Sequence, residues 1–330
     1  MRVAVVDIGT NSTRLLVAEV VNGRVEELDR RTTVTRLGQG VDASGELSQE
    51  AMDRVHAALL EYRAAMDAHK AFTNVAVLTS AVRDATNGAA FTQAVRERYA
   101  LDARTIEGDE EARLTFLGAT SERPADDAAP TVVIDIGGGS TEFVVGTGHE
   151  ARFHVSTQAG VVRMTERHLA HDPPRPEELS ALREDVRAVI AEAIEPDARS
   201  SVEAAIAVAG TATSVAAIDL ALEPYDAVRV HGHTVSVARA EQILGALAAI
   251  DEAERRTIAG LHPDRAPTIV AGVAMLLEAL EAFGLDAFEA SEHDILRGAA
   301  LQLAADAPPP RSPSTYPESF PPPKSNPSRR

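Results

Sequence analysis

Val132-Val133-Ile134-Asp135-Ile136-Gly137-Gly138-Gly139-Ser140-Thr141-Glu142-Phe143-Val144-Val145 runs from an apolar strand through three glycines into a second apolar strand. The chain opens on the same pattern, Val3-Ala4-Val5-Val6-Asp7-Ile8-Gly9-Thr10-Asn11-Ser12-Thr13-Arg14-Leu15-Leu16-Val17. Asp7, Gly9, Ser12, Thr13 and Val17 align with Asp135, Gly137, Ser140, Thr141 and Val145 at a constant offset of 128 residues. A lone glycine hairpin is a weak signal. Repeated at this distance, with an acid at the same place in each copy, it predicts duplicated domains facing one cleft.

Such a hairpin suits phosphate. Glycines let the backbone come close and aim N–H groups at phosphate oxygens. An Asp at a strand end can hold Mg²⁺ directly or through water, because hard cations prefer carboxylate oxygen. The expected phosphate-binding residues are therefore Gly9, Thr10, Asn11 and Ser12 in the first loop and Gly137, Gly138, Gly139, Ser140 and Thr141 in the second, with Asp7 and Asp135 as metal ligands.

The 330 residues suit two domains of ordinary size. Hydrophobic residues make up 45% and charged residues 25%, the balance of a soluble globular chain. No apolar run approaches the roughly 18 residues that span a bilayer. The start, MRVAVVDIG, enters a strand at once without a signal-peptide pattern, so a cytoplasmic location and no membrane are expected. A net charge of −18 argues against nucleic acid and requires a local basic cleft for any polyanion. With no cysteine, thiolate nucleophiles, disulfides and Cys-ligated zinc are excluded. No nucleophile-elbow serine and no Walker lysine is present either. His231 and His233, and His293 in Ser291-Glu292-His293-Asp294, lack the spacing of a zinc site and receive no role.

Strands alternate with helices in the manner of an α/β fold. Residues 48–67 place Met52, Val55, Leu59, Tyr62 and Met66 on one helical face behind a cap at Ser48. Val75-Ala76-Val77-Leu78 reads as a buried strand ending at Thr79-Ser80, then a loop through Arg83-Asp84 and a helix capped near Asn87. Loops at such strand ends are where open α/β sheets bind ligands, which brings in Ser80 and Arg83. A guanidinium there can fork onto phosphate, or pair with Asp84 on the surface. Residues 107–113, Glu-Gly-Asp-Glu-Glu-Ala-Arg, read locally as a helix start with Asp109 as cap. Pro124 to Pro130 interrupts the order and marks the boundary between a domain over 1–124 and one over 125–305. In the second, 176–195 and 236–250 read as helices, 202–209 as a strand and 267–283 as a long buried helix. Residues 306–330, rich in Pro and Ser, read as a disordered tail.

The pair Asp7-Ile8-Gly9-Thr10-Asn11-Ser12 and Asp135 to Glu142 resembles the two phosphate loops of the actin, Hsp70 and sugar-kinase superfamily. The wording resembles its Ppx/GppA phosphatase branch, as do residues 35–40, 79–88, 107–119, 209–218 and 261–272, in the same order. The resemblance covers roughly 1–305. It implies two duplicated actin-like (ribonuclease H-like) α/β domains with a cleft between them. It also implies that Glu111, the second Glu of Glu-Glu-Ala-Arg, is the base that directs water, with Glu110 as the adjacent alternative. Arg83 is then a catalytic cation. Arg14 is expected to face phosphate, and Glu142, its counterpart in the second copy, to face metal or water as a catalytic acid. Gly210 and Thr211 resemble a loop that contacts nucleotide in the wider superfamily and are expected along the wall of the substrate cleft.

The implied activity is an exopolyphosphatase: Mg²⁺-dependent hydrolysis of the terminal phosphoanhydride of inorganic polyphosphate. Removal of the 5′-phosphate of guanosine pentaphosphate is the alternative, since the same cleft serves both. An actin-like nucleotide-binding regulator with little turnover is a rival of another class, and a sugar kinase a weaker one. Longer members of the family carry further helical domains, so the short two-domain form implies a preference for short polyphosphates. A homodimer is left open.

Overall fold

The hairpin strands are buried on both faces: Val3 to Ile8, and every residue from Thr131 to Ile136, lie in the interior. Central strands covered by helices on both sides read as continuous apolar runs, and both runs here do. The computed structural model describes residues 1–124 and 126–306. The expected tail lies outside them apart from Asp306, which closes the last helix.

The first half runs β1 (Arg2–Ile8), β2 (Ser12–Val21), β3 (Arg24–Val34), α1 (Val41–Ser44), α2 (Gln49–Ala68), β4 (Thr73–Leu78), α3 (Ser80–Asp84), α4 (Gly88–Tyr99), β5 (Ala103–Thr105) and α5 (Gly108–Thr120). The second half begins β6 (Thr131–Ile136), β7 (Thr141–Thr147), β8 (Glu150–Thr157), α6 (Val161–His168), α7 (Pro176–Ala193), α8 (Pro196–Ser200) and β9 (Ala204–Val208). It continues through α9 (Ala209–Asp219), α10 (Ala227–Val230), β10 (Thr234–Ser236), α11 (Val237–Ala248), α12 (Glu252–Arg255), α13 (Ile269–Phe283), β11 (Ala287–Ala290) and α14 (Ile295–Ala305).

The duplication is explicit in the sheets. One has the order β3-β2-β1-β4-β5 and the other β8-β7-β6-β9-β11, with β10 added at its edge. In each, an antiparallel three-stranded meander is followed by a parallel strand reached through helices. The protein is thus an α/β molecule whose two sheets repeat one core topology. Among the described residues, no helix is long and apolar enough to cross a membrane.

Strand alternation decides which residues reach the cleft. Ala4, Val6 and Ile8 face outward onto α2 and α4, while Val3 and Val5 face inward onto α14. Ile134 and Ile136 pack outward against α13, and Val133 inward against Ala112 and Phe116 of α5. The two sheets therefore sandwich α14 and α5, and the odd-numbered Asp7 and Asp135 point into that layer. The C-terminal helix, although it follows the second sheet in the chain, buries Ile295, Leu296, Ala299 and Ala300 on the first.

Three local readings change. The segment through Arg83-Asp84 is one helical turn, α3, not a loop. Asn87 stands at the N-cap of α4, as expected, but its side chain makes no cap hydrogen bond. Its side chain exchanges two hydrogen bonds of 2.9 Å with the backbone of Leu47 and ties the α1–α2 connection down. The residue at the N-cap of α5 is Glu107, whose carbonyl accepts from the amides of Glu110 and Glu111, rather than Asp109.

Candidate active site

The two hairpins close identically: Gly9 N donates to Ser12 O, and Gly137 N to Ser140 O, both at 3.0 Å. Carbonyls of the second loop are taken by α6, with Val161 N donating to Gly137 O at 2.9 Å and Val162 N to Gly138 O at 2.8 Å. Peptide planarity then turns the N–H groups of Gly138 and Gly139 the opposite way. A Cβ on Gly138 would stand 2.9 Å from Asn11 N, so the loops meet face to face.

Between them lies a cleft with an empty volume of about 770 Å³. Asp7, Gly9, Thr10, Asn11, Ser12 and Arg14 line it from the first copy. Asp135, Gly137, Gly138 and Ser140 line it from the second. Ser80, Glu111, Gly210 and Thr211 complete the set of expected residues on its walls.

The others stand behind. Gly139 faces a smaller cavity beside Ala81 and Arg163. Thr141 donates its hydroxyl to Ala159 O and braces the hairpin. Glu142 is 1% exposed and accepts from Ser156 Oγ at 2.7 Å. Arg83 Nη1 donates to Ile106 O at 2.9 Å and lies 3.4 Å from Glu111 Oε2, so the guanidinium backs the carboxylate. The alternative pairing of Arg83 with Asp84 is not made, because Asp84 is held by Arg163 at 2.9 Å.

One substitution between the copies changes the electrostatics. Asp7 stands directly across the ladder from Arg14, and Asp135 directly across from Glu142. The first is an attractive cross-strand pair and the second a like-charge pair. Arg14 Nε donates to Asp7 Oδ2 at 2.8 Å, and its Nη1 pairs with Asp294 at the N-cap of α14. Burial opposes the charge on Arg14, but Asp294, Asp7 and Asp135 outweigh it and hold the guanidinium protonated. Burial raises Asp7, with Arg14 opposing. Asp135 has less relief: burial and then Glu142 push its carboxyl up to about 8, with Arg14 opposing from its place beside Asp7. Glu111 is driven well above the ordinary range by burial and by Glu142, Asp135 and Asp7, with Arg83 opposing. Burial also raises Glu142, against the hydroxyls of Ser140 and Ser156.

A second feature is collective. Ser80, Glu111, Val161, Ala209, Ile269 and Ile295 all line the cleft, and each lies in the first turn of a different helix. Six helices thus begin at one place, their positive dipole ends converging on it, although the first amides of α6 are taken by the second loop and those of α3 and α14 in part by Thr10 and Asp294. Ala209, at φ 62°, holds a left-handed conformation at the start of α9. Such strained residues collect at ligand sites.

Arg265 was not expected. Arg14 and Arg83 each pair with a carboxylate, whereas Arg265 lines the cleft without an ion pair among the described residues. Its guanidinium lies against Gly210, where a Cβ would stand 1.0 Å from Nη1. The signal was weak: an arginine in a short polar turn before a buried helix, in a segment that resembled the family but suggested no role. Asp294 was likewise passed over, because its contact with Arg14 spans 280 positions in the chain.

Fold and site define an α/β protein whose two duplicated glycine loops face one cleft lined with acids. Residues 16–304 match the Ppx/GppA phosphatase family, and the chain belongs to it. It is a phosphoanhydride hydrolase. It is similar to Exopolyphosphatase 2 of Mycobacterium tuberculosis, 39% identical over 92% of this chain and 98% of that protein. Among solved structures it is similar to a Ppx/GppA family member from Aquifex aeolicus, with a TM-score of 0.78 and 29% identity over 92% of this chain and 98% of the other. It is also similar to an exopolyphosphatase from Cytophaga hutchinsonii, with a TM-score of 0.83 and 26% identity over 92% and 98%.

Proposed function

We propose that the protein is an exopolyphosphatase that removes the terminal phosphate of inorganic polyphosphate with Mg²⁺ as cofactor. The observation that carries this is the convergence of six helix N-termini, and of an arginine with no ion pair among the described residues, on one cleft in a chain of net charge −18. Such an arrangement selects a polyanion locally while the rest of the surface repels it.

The residues present fit a hard divalent cation. Asp7 and Asp135 enter the cleft from opposite loops, and Asp135 is a buried carboxylate beside Glu142, offset only by an Arg14 that is already paired with Asp7 and Asp294. When bound there, Mg²⁺ supplies charge neutralisation on the phosphate oxygens. The loop amides and the hydroxyls of Thr10, Ser12 and Ser140 hold the terminal phosphates. Arg265 draws the chain along the wall formed by Gly210 and Thr211. Glu111, deprotonated, orients a water and accepts its proton as the water oxygen bonds to the terminal phosphorus. The bond from that phosphorus to the bridging oxygen breaks, giving orthophosphate and a chain one unit shorter. Arg83 keeps the Glu111 carboxylate in place, and Glu142 shapes the local charge. In this reading one lobe is residues 1–124 with α14 docked on it, and the other is the remainder.

The test is phosphate release from short polyphosphate, long polyphosphate, guanosine pentaphosphate and ATP, each with and without Mg²⁺. Mg²⁺-dependent release from polyphosphate is expected. Faster release from guanosine pentaphosphate would replace the substrate, and silence on all four would end the reading.

A further inference from the structure

Glu122 just past α5, His231 after α10 and His293 before α14 come from three separate segments, and one ligand atom of each lies within 4.8 Å of the other two. The imidazole centroids of His231 and His293 are 4.0 Å apart. Glu122 Oε2 lies 3.9 Å from His231 Nε2 and 3.8 Å from His293 Nδ1.

Two further observations point to a ligand. His293 Nδ1 is buried and has no hydrogen-bond partner, and an orphaned polar atom in an interior calls for one. Arg297 Nη2 takes the other carboxylate oxygen, Glu122 Oε1, which leaves Oε2 toward the two rings. An oriented carboxylate of this kind is what metal sites build behind their ligands.

We infer that Glu122, His231 and His293 form a binding site for a divalent transition-metal cation of the zinc class, separate from the carboxylates of the cleft. Two imidazole nitrogens and one carboxylate oxygen suit zinc and its neighbours, whereas Mg²⁺ prefers oxygen alone. Binding requires the ring protons to sit on His231 Nδ1 and His293 Nε2. Glu292 N now stands 3.3 Å from the first and Arg297 Nη1 3.2 Å from the second. The ion replaces these two contacts, since a protonated ring nitrogen no longer accepts, while Arg297 keeps its bonds to Ser121 and Glu122. The ion joins the end of α5, the α10 segment and the start of α14. His293 is adjacent to Asp294, which holds Arg14, so the site steadies the cleft without taking part in the chemistry.

The test is titration of metal-free full-length protein with ZnCl₂ in excess Mg²⁺, by calorimetry and by thermal midpoint. One zinc per chain and a raised midpoint are expected. His231→Ala, His293→Ala and Glu122→Gln should each weaken binding by about tenfold or more, while Asp7→Asn with Asp135→Asn leaves it intact. Because Glu122 is largely exposed, Glu122→Gln keeps the test decisive if a histidine variant misfolds. Unchanged zinc affinity in these variants, loss only in the Asp7/Asp135 variant, or no saturable binding in the native chain would each overturn the assignment.

Discussion

The exchange of Arg14 for Glu142 between the copies gives the first hairpin a salt bridge and the second a pair of like charges. Glu111, on the far side, shares that crowded field, and this sets its chemistry. As a base it must be deprotonated. With its carboxyl raised, kcat/KM should climb with pH through that elevated value and not be flat above the ordinary carboxylate range. Glu111→Gln should lower kcat by about 10²–10⁴ with binding of polyphosphate retained. Phosphate release together with circular dichroism checks this, and near-native turnover would remove Glu111 from the role. Arg265 gives a less obvious prediction. Gly210→Ala puts a methyl where its guanidinium lies. Loss of one charge-assisted contact, about 1.5–3 kcal/mol, should raise KM at least about tenfold. Arg265→Ala should do the same, with kcat and thermal midpoint little changed in both. Glu111 was legible because it stands in a recognisable segment. Arg265 was not, since what marks it is its place in the cleft with no ion pair among the described residues, which is a property of space.

Among the helices, α5 and α14 decide how the site is assembled. A Cβ on Gly118 would stand 1.9 Å from Asp294 O, and one on Gly298 1.8 Å from Leu114 O, so the two backbones touch at the glycines. This contact sets the distance between Glu111 at one helix start and Asp294 at the other. Gly118→Ala should destabilise the protein by about 1–3 kcal/mol, read by denaturant unfolding, and should also loosen the hold of Asp294 on Arg14. An unchanged midpoint would mean that the helices can slide apart freely. The periodicity of α2 and the apolar run of α13 were readable, because each buries a face that repeats at helical spacing. The short α3 and the role of Asn87 were not, because they depend on a neighbouring segment more than on their own residues.

Across the whole molecule, Asp7, Glu111, Asp135 and Glu142 all hold their protons more tightly when folded than an exposed carboxyl does, burial being the largest cause for each. Such groups add stability at acid pH and lose it as pH rises through their folded values, about 8 for Asp135. The thermal midpoint of metal-free protein should therefore fall between about pH 5 and about pH 9, by an amount that Asp135→Asn reduces. Mg²⁺ should restore more of it at the alkaline end. A midpoint that rises over this interval would show that the carboxylates are relieved by something other than a cation. The duplication, the two sheets and the acids at their strand ends were determined by the sequence itself, because strand alternation and glycine turns are local rules that act the same way in both copies. Only the tertiary structure decided that six helices start at one cleft, that α14 returns to the first sheet, and that Arg14 meets Asp294 while Glu122, His231 and His293 converge. These depend on packing between segments far apart in the chain, and no spacing along the sequence encodes them.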